Sequence, residues 1–443
     1  MLSLLVISCL CLSGGLGGAP GEPNLREAFP LGVYWPWERT GPLAERNGLD
    51  KWDFVARELN QLRADGVTDL WVVNLGVPEL PRLGEELAAR GMRLVAALAE
   101  LDYKPEWRRR NWEYLGKHAQ AAIASVGDTP AVLAWGLCDE PRTAYLEEIE
   151  TFRQKMARWD PGRPSVVVTM WHDTPAAAEK TNLPALCTDL YPFFSKGNPN
   201  GPNPAPRSRQ WYFANCQRTA QLAAEKDIPA WVMPQAYAEV WGPWRYDERG
   251  DLVALPKAFL HWRPPTVGEI RWQIWSALAA GMQGFYFFVY LPSPREAATA
   301  KPYQGPIFPE EIRLQEETPL HFPGALIAPN RRRTPQYEAM VETYRALRPL
   351  IPLLKPTRPA PLPEEVKAEG ARLGLLSGPK GTRYLLVVNE DTEHEREIRV
   401  TLPPEVQQVR NLRTGEVLTS GPARTVRLEL RPGEGTVLGL KGQ

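Results

Sequence analysis

The most informative segment of the chain is residues 131–141, Ala-Val-Leu-Ala-Trp-Gly-Leu-Cys-Asp-Glu-Pro. Its apolar part suits a strand that is buried on both faces, and it ends in two carboxylates and a proline. Proline cannot donate to a strand ladder, and it biases the residue before it towards an extended conformation. We therefore predict a strand whose carboxyl end carries Asp139 and Glu140. In a parallel barrel, that end of the strands carries the chemistry.

From residue 29 onward, short β-type runs alternate with helical patterns, which is typical of βαβ units and a parallel sheet. Eight strands each followed by a helix predict the α/β class and a (β/α)8 TIM barrel. Long connections at 238–266 and 291–334, rich in proline and aromatic residues, are predicted to wall a cleft. The predicted strands are 30–37, 68–75, 93–99, 132–140, 164–170, 185–193, 229–237 and 284–290, and the predicted helices are 51–64, 80–90, 107–125, 145–158, 175–181, 208–226, 267–280 and 335–347.

The composition and the hydrophobic pattern of the sequence change after the last predicted helix. Residues 355–363 are rich in proline and are predicted to form an extended linker. Beyond them, six short β-type runs separated by turn signals predict a small all-β sandwich. The predicted organisation is a signal peptide at 1–19, the barrel at 20–354, the linker at 355–363 and the sandwich domain at 364–443.

The N-terminal segment and the composition indicate where the protein acts and which classes of partner it lacks. Residues 4–12 are apolar and are followed by small residues, as in a secretory signal peptide, so we expect a secreted or periplasmic protein. No other segment approaches the ~20 apolar residues that span a bilayer. A lipid anchor at Cys9, in Val-Ile-Ser-Cys, is the less favoured alternative. With 52 basic and 52 acidic residues, the chain has no basic stripe for nucleic acid.

The sequence contains no recognisable metal or cofactor motif. It has no glycine-rich phosphate loop, no His-Glu-x-x-His and no nucleophile elbow, so we predict neither a metal nor a cofactor. Once the signal peptide is removed, Cys138, Cys187 and Cys216 are left. Their odd number and wide spacing argue against a disulfide framework, and we interpret them as buried thiols.

Glu140 is the first catalytic candidate, as a general acid/base at the carboxyl end of strand 4. The alternative is structural, because an anion near Thr143 would stabilise the amino terminus of the following helix. The adjacent carboxylate of Asp139 and the strand end at Pro141 favour the catalytic interpretation.

The motif Trp-Gly-Leu-Cys-Asp-Glu-Pro at 135–141 resembles the strand-4 signature of the clan A glycoside hydrolases, including β-galactosidase-like and cellulase-like barrels. The resemblance covers roughly residues 29–352. It implies that Glu140 is the acid/base of a glycosidase. Asp139 stands where the family has an asparagine that binds the sugar 2-hydroxyl. Gln235 stands at the end of strand 7, where the family has its nucleophile glutamate, and an amide cannot form the usual glycosyl ester.

The identity of the second carboxylate is therefore left open by the sequence. Glu239, two residues beyond Tyr237 in the same loop, is the first candidate, and a solvated loop carboxylate is its alternative. Asp189 ends strand 6 and could orient a sugar hydroxyl, act as a base or bind a neighbouring arginine. Glu269 fits a capping box at the start of a helix, and Glu100 follows strand 3, so both are less favoured.

Aromatic residues recur at the predicted carboxyl ends of the strands. Pyranose rings stack their apolar faces on flat side chains, and their hydroxyls need fixed polar partners. We therefore predict a carbohydrate cleft. Each aromatic residue taken alone could instead pack in the core or in a loop, and His172 could instead have a structural role. The predicted substrate-binding residues are Asp139, Gln235, Tyr191, His172, Trp35, Trp37, Trp171, Tyr237, Trp241 and Tyr290.

The sequence thus predicts a glycoside hydrolase that cleaves O-glycosidic bonds of an oligo- or polysaccharide. Glu140 would be its general acid/base, and Glu239 or Asp189 its nucleophile or base. A carboxyl separation of about 5–5.5 Å would indicate a retaining enzyme and about 6.5–9.5 Å an inverting one. The alternative is a non-catalytic carbohydrate-binding barrel that has lost the strand-7 nucleophile. A third, weaker hypothesis is a structural envelope protein without an aromatic cleft.

Overall fold

The computed structural model describes residues 25–99, 101, 112–195, 205–300, 321–420 and 425–442. The predicted signal peptide, Cys9 and Glu100 lie outside these ranges. The α-helices are α1 (Thr40–Arg46), α2 (Lys51–Ala64), α3 (Leu80–Ala88), α4 (Trp112–Val126), α5 (Leu146–Trp159), α6 (Thr174–Lys180), α7 (Ala205–Glu225), α8 (Val267–Ala280), α9 (Pro335–Leu347) and α10 (Ile351–Leu354).

The strands of the first domain are β1 (Leu31–Pro36), β2 (Asp69–Leu75), β3 (Arg93–Leu98), β4 (Val132–Asp139), β5 (Ser165–Met170), β6 (Leu186–Leu190), β7 (Ala230–Pro234), β8 (Ala238–Trp241), β9 (Trp244–Tyr246), β10 (Leu252–Ala254), β11 (Phe259–Trp262), β12 (Phe285–Phe287) and β13 (His321–Gly324). Those of the second are β14 (Arg358–Ala360), β15 (Lys367–Ala368), β16 (Ala371–Ser377), β17 (Arg383–Asn389), β18 (Arg396–Thr401), β19 (Val406–Asn411), β20 (Val417–Ser420), β21 (Thr425–Leu430) and β22 (Gly435–Gly442).

Eight parallel strands close into a barrel in the order β1-β12-β7-β6-β5-β4-β3-β2. The predicted (β/α)8 barrel is confirmed, and the predicted bounds of α2, α8 and α9 match those of the structure. Local capping explains these sharp starts. Asp50 accepts from the amide of Trp52 before α2, Thr266 and Glu269 form a reciprocal capping box on α8, and Thr334 caps α9.

The barrel strands are buried on both faces, as expected for a parallel sheet covered by helices. The inward face packs bulky side chains into the centre, including Trp71, Trp231 and Tyr286. The outward face packs against the helices in a separate and larger cluster that contains Trp35. Successive residues of one strand therefore belong to different layers, which decides which side chains reach the cleft.

The long connection after β7 folds into strands. β8 lies between β11 and β13 in a three-stranded antiparallel sheet over the carboxyl end of the barrel. We call these three strands the rim sheet. β9 and β10 form a separate hairpin beside it.

The C-terminal region consists of two antiparallel sheets, β14-β16-β17-β22-β19-β20 and β15-β18-β21, which confirms the predicted sandwich. The stretch 355–363, predicted as an extended linker, contains a short strand in the structure. Residues 358–360 pair with β16 as an edge strand, where Pro359 is tolerated because no further strand needs its missing amide hydrogen. The sandwich packs closely on α8. A Cβ at Gly374 would lie 1.8 Å from the carbonyl oxygen of Ala279.

Cys138, Cys187 and Cys216 are buried, as predicted. No helix in the described part of the chain is both long and apolar enough to cross a membrane. Within the same ranges, no group of three or more His, Cys, Asp or Glu side chains is arranged to hold a metal ion.

Candidate active site

A cleft of about 380 Å³ opens at the carboxyl ends of the barrel strands. This volume lies within the usual range for sites that bind small molecules. Its polar lining consists largely of carboxylates and tyrosines, and the rest of its wall combines aromatic and aliphatic side chains. The residues that line it are Tyr34, Pro36, Glu38, Arg39, Val73, Asn74, Asp139, Glu140, Val168, Asp189, Tyr191, Met233, Tyr237, Glu239, Trp262, Phe288 and Phe322.

Glu140 lies at the point where β4 leaves the barrel. Its amide donates to the carbonyl oxygen of Val168 on β5 at 3.1 Å, and Pro141 ends the strand. Its φ of +49° lies in the left-handed region, which a non-glycine residue adopts at an energetic cost. Such residues cluster at functional sites, where the surrounding structure holds them in place. Asn74, at the end of β2 on the same cleft, has a φ of +56°.

The capping role considered for Glu140 belongs to Asp173 instead. The amide of Thr143, where the chain enters the helical segment before α5, donates to the Asp173 carboxylate at 3.0 Å. Glu140 is therefore not needed to stabilise the start of this helical segment. Its side chain lines the cleft.

The carboxyl group of Glu140 shares a hydrogen bond with that of Asp189, which stands at the carboxyl end of β6. The negative charge of Asp189, followed by burial, raises the pKa of Glu140 well above its usual range. Burial raises the pKa of Asp189 to about 6. Two carboxyls that interact directly cannot both ionise freely, so the pair retains one proton. The pair therefore carries a proton, held on Glu140, at a pH where an isolated carboxylic acid has lost it.

Further polar groups surround this carboxyl pair. The hydroxyl of Tyr34 lies 3.5 Å from the carboxylate of Asp139. Burial, followed by neighbouring carboxylates, raises the pKa values of Tyr34, Tyr191 and Tyr237 well above 10, so all three hydroxyls keep their protons. The cleft thus offers both donors and acceptors for the hydroxyl groups of a ligand.

Glu239 enters the cleft from the rim sheet rather than from a barrel strand. It is 2% exposed, and its Oε2 lies 2.5 Å from Nδ1 of His261, which is 6% exposed. In the tautomer with a proton on Nδ1, the imidazole donates this hydrogen bond and the carboxylate accepts it. The cleft therefore has a second carboxylate with its own bound histidine.

The aromatic wall of the cleft is a continuous cluster. Tyr237 contacts Tyr191, Phe288 and Phe322 with ring centroids 5.0–5.3 Å apart, and Trp262 packs against Tyr191 and Tyr237. Tyr191, Tyr237 and Phe288 follow the ends of β6, β7 and β12, and Trp262 and Phe322 belong to the rim sheet. Their mutual edge-to-face contacts fix each ring, and such rings suit the apolar face of a pyranose.

No protein-family model and no curated protein sequence matches this chain. Among solved structures, a catalytic mutant of Gan42B, a GH42 beta-galactosidase from G. stearothermophilus, is similar over 95% of this chain and 100% of that chain, with 9% sequence identity and a TM-score of 0.59. A structure described as a glycoside hydrolase is similar over 93% of this chain and 92% of that chain, with 11% identity and a TM-score of 0.55. The chain has the fold of these glycoside hydrolases. The resemblance of residues 135–141 is thereby confirmed at the level of the fold.

Six of the predicted site residues line the cleft of this glycosidase fold: Asp139, Glu140, Asp189, Tyr191, Tyr237 and Glu239. They come from the ends of β4 and β6, from the turn after β7 and from β8. The long loops also contribute as predicted, since Trp262 and Phe322 belong to the connections after β7 and β12.

Gln235 was predicted to bind substrate, and the structure contradicts this. Its side chain is fully buried and does not line the cleft. Its Oε1 accepts from the amide of Phe193 at 2.9 Å, and its Nε2 donates to the carbonyl oxygen of Arg263, also at 2.9 Å. Its own backbone amide and carbonyl are bonded by the side chain of Gln273. The amide at the end of strand 7 is a structural connector.

Trp35, Trp37 and Tyr290 were assigned to the cleft, but they lie outside it. Trp35 points outward from β1, and its Nε1 donates to the Thr40 hydroxyl at 2.9 Å. Trp37 is buried, and its Nε1 donates to the carboxylate of Glu79. Tyr290 is buried in the same outer layer as Trp35. The strand alternation was assigned with the wrong phase, because one residue along the strand changes the face.

His172, Trp171 and Trp241 also fall outside the cleft. Trp171 is 42% exposed on the loop after β5, and His172 pairs with the carboxylate of Asp173 at 3.1 Å. Trp241 is buried in the rim sheet, where it stacks on His261. Glu269 forms the expected capping box and an ion pair with Arg263, which is the structural role considered for it.

Several residues of the site were not predicted from the sequence. Tyr34 precedes a predicted residue by one position, so the correct strand phase would have found it. The residue type of Asn74 indicated a possible positive φ, since asparagine tolerates this conformation better than most residues. Phe288 and His261 had none, because their positions depend on how the segments after β7 and β12 fold over the barrel.

Proposed function

We propose that this protein is a glycoside hydrolase that cleaves O-glycosidic bonds of an oligo- or polysaccharide, with Glu140 as the proton donor. The observation that carries the proposal is the hydrogen-bonded pair of Glu140 and Asp189 in an aromatic cleft at the carboxyl end of the barrel. A carboxylic acid that keeps its proton near neutral pH is what protonation of a glycosidic oxygen requires.

The same pair argues against Asp189 as the second catalytic carboxyl. Retaining and inverting glycosidases separate their two carboxyls by about 5 Å or more, because the anomeric carbon lies between them. Glu140 and Asp189 interact directly through a side-chain hydrogen bond, which leaves no such room. We assign Asp189 the role of keeping Glu140 protonated.

Glu239 is then the second carboxyl of the proposed reaction. It is the third catalytic residue predicted from the sequence, beside Glu140 and Asp189, and it also lines the cleft. Its hydrogen bond to His261 fixes the position of its carboxylate. As Glu140 transfers its proton to the glycosidic oxygen, the bond from that oxygen to the anomeric carbon breaks. Glu239 either forms the new bond to this carbon or takes a proton from the water that does.

Recognition of a carbohydrate is supported by the remaining lining of the cleft. Trp262, Phe288 and Phe322 offer flat apolar surfaces, and the hydroxyls of Tyr34 and Tyr191 offer donors that stay protonated. With the apolar run at residues 4–12, we propose that such a glycan is met outside the cytoplasm, in a secreted or periplasmic setting.

A carbohydrate-binding barrel without turnover is the second candidate function, and Gln235 favours it. The strand-7 position that holds the nucleophile in the resembled family carries an amide that is committed to backbone contacts. In that case the aromatic cleft would bind glycans, and the carboxylates would contact only hydroxyl groups.

The two candidates are separated by incubating the protein and its Glu140→Gln variant with a panel of oligosaccharides. Glu147→Gln serves as the matched control, since this glutamate is exposed on α5 away from the cleft. We expect the parent and the control to release sugar, and Glu140→Gln to lose about 10²- to 10⁴-fold in rate. Glycan binding without release by any of the three proteins would refute hydrolysis and support the binding barrel.

A further inference from the structure

The proposed second carboxylate is held by a structure that the barrel does not supply. Glu239 belongs to β8, the central strand of the rim sheet, and His261 belongs to the neighbouring strand β11. Both side chains are buried, with exposures of 2% and 6%. A hydrogen bond between buried groups is stronger than the same bond in water. Removing one partner also carries a larger free-energy penalty, because the other group is left buried without a hydrogen bond.

An irregularity in the β8–β11 ladder brings the two side chains together. Leu260 pairs with Val240, but the next pair joins Trp262 to Glu239, so His261 is the extra residue of a bulge. A bulge re-aims side chains locally and is common next to active sites. Here it sets two consecutive residues of β11 beside Glu239. His261 binds its carboxylate, and Trp262 lines the cleft.

The ring of His261 is fixed by the aromatic residues around it. It stacks on Trp241, with ring centroids 4.2 Å apart and planes 28° apart, and meets Trp262 at 3.9 Å. Phe194 and Phe259 lie at 5.7 Å and 6.1 Å. The imidazole is therefore held by packing before any ligand arrives, and it can hold the carboxylate in turn.

We propose that His261 is a positioning residue that fixes the Glu239 carboxylate for attack on the anomeric carbon or on the water beside it. The proposal rests on the proposed hydrolase function. His261 is absent from the residues that line the cleft, so it acts through Glu239 rather than on the sugar. A carboxylate on a loop-derived sheet needs such a partner, because small misplacements of a reacting group cost rate steeply.

Three substitutions separate positioning from packing. His261→Phe keeps an aromatic ring on Trp241 but removes the Nδ1 donor. His261→Asn loses the ring but carries an amide nitrogen two bonds from Cβ, as Nδ1 is. His261→Gln is its matched control, because its amide nitrogen lies three bonds from Cβ and misses that position. A packing role predicts that phenylalanine is tolerated best, and a positioning role predicts that asparagine is.

The substrate for this test is whichever compound of a 2,4-dinitrophenyl glycoside panel the parent cleaves fastest. We expect His261→Phe and His261→Gln to lower kcat about 10- to 100-fold with KM within about threefold of the parent. We expect His261→Asn to keep kcat within about threefold. If His261→Phe misfolds, the comparison of His261→Asn with His261→Gln still decides. Wild-type kcat in His261→Gln, or an equal loss in His261→Asn and His261→Gln, would overturn the proposal.

A double-mutant cycle with Glu239→Ala tests whether the two residues act as one unit. We expect His261→Gln to cost nothing further, within about threefold, once Glu239 is gone, because residues that act as a unit are not additive. A full multiplicative loss would show that His261 acts elsewhere. An active parent with unaffected His261 variants refutes only the positioning role, whereas a parent inactive on every glycoside refutes the hydrolase proposal as well.

Discussion

Replacing Gln235 by glutamate restores the residue that the resembled family has at the end of strand 7, and it tests whether this position has left the active site. The structure predicts a loss of stability and no gain in activity. The Nε2 of Gln235 donates to the carbonyl oxygen of Arg263 at 2.9 Å, with weaker contacts to the carbonyls of Phe193 and Tyr237 at 3.3 Å and 3.4 Å. In a glutamate, the oxygen that replaces Nε2 would face these three carbonyl oxygens without a donor, whereas Oε1 would keep the amide of Phe193.

The magnitude follows from the protonation of the new carboxyl. Protonated, it can donate to the carbonyl oxygen of Arg263 as the amide did. The cost is then that of keeping an acid with an ordinary pKa of about 4.3 protonated in the folded state. At pH 7 this is about 3.7 kcal/mol, at 1.36 kcal/mol per pH unit. Because the folded state holds the extra proton, the penalty grows as pH rises above about 4.3 and vanishes below it.

The assay is denaturant unfolding of the parent and of Gln235→Glu at a series of pH values. We expect the two free energies of unfolding to agree near pH 4 and to separate by about 1.4 kcal/mol per unit above it. Gln235→Ala is the control, because it removes the same hydrogen bonds without adding a titrating group. Its penalty relative to the parent should not depend on pH. A Gln235→Glu variant as stable as the parent at pH 7, or one that hydrolyses glycosides without Glu239, would show that this position has not left the active site.

Three further changes give separate tests. Asp189→Asn should move the alkaline limb of the kcat/KM profile to lower pH, because the charge of Asp189 raises the pKa of Glu140. The same variant should have a higher free energy of unfolding at pH 7. Folding raises the pKa of Asp189 from 3.8 to about 6, and each unit of this increase destabilises the folded parent by about 1.4 kcal/mol when Asp189 is ionised. Trp262→Ala should raise KM for an oligosaccharide about tenfold through lost stacking, whereas Trp171→Ala, outside the cleft, should not. Gly374→Val should lower the free energy of unfolding by about 3 kcal/mol or more, as measured by denaturant titration, because its side chain has no room against α8.

The barrel was predictable from sequence because its signals are local. Each strand is a short apolar run, each helix carries its own period, and the starts of α2, α8 and α9 are set by Asp50, Thr266 and Thr334. The catalytic candidate was local too, since two carboxylates and a proline end β4. These features need no knowledge of what lies across the sheet.

The faces of the strands were not predictable in the same way. In β1 both Tyr34 and Trp35 are aromatic and buried, so the sequence does not alternate. A strand covered on both faces gives no polar side to set the phase, and the wrong tryptophan was assigned to the cleft. The same reason applies to Tyr290, which lies in the outer layer while Phe288 lines the cleft.

The remainder of the site depends on contacts between distant segments. His261 meets Glu239 through a bulge in a sheet built from two long connections, and no residue type signals its position. Gln235 was placed correctly at the end of strand 7, but its partners Phe193 and Arg263 come from other loops. Pro359 suggested a linker because its edge-strand position becomes visible only when the sheet order is known.

Proton donation by Glu140 is tested directly by the leaving-group dependence of Glu140→Gln. Parent and variant are compared on two glycosides of the same sugar, one with a 2,4-dinitrophenyl group, which departs without protonation, and one with a second sugar. If Glu140 is the proton donor, the variant keeps kcat/KM within about tenfold on the first and loses about 10²- to 10⁴-fold on the second. Equal losses on both glycosides would show that Glu140 does not donate the proton and would contradict the proposed mechanism.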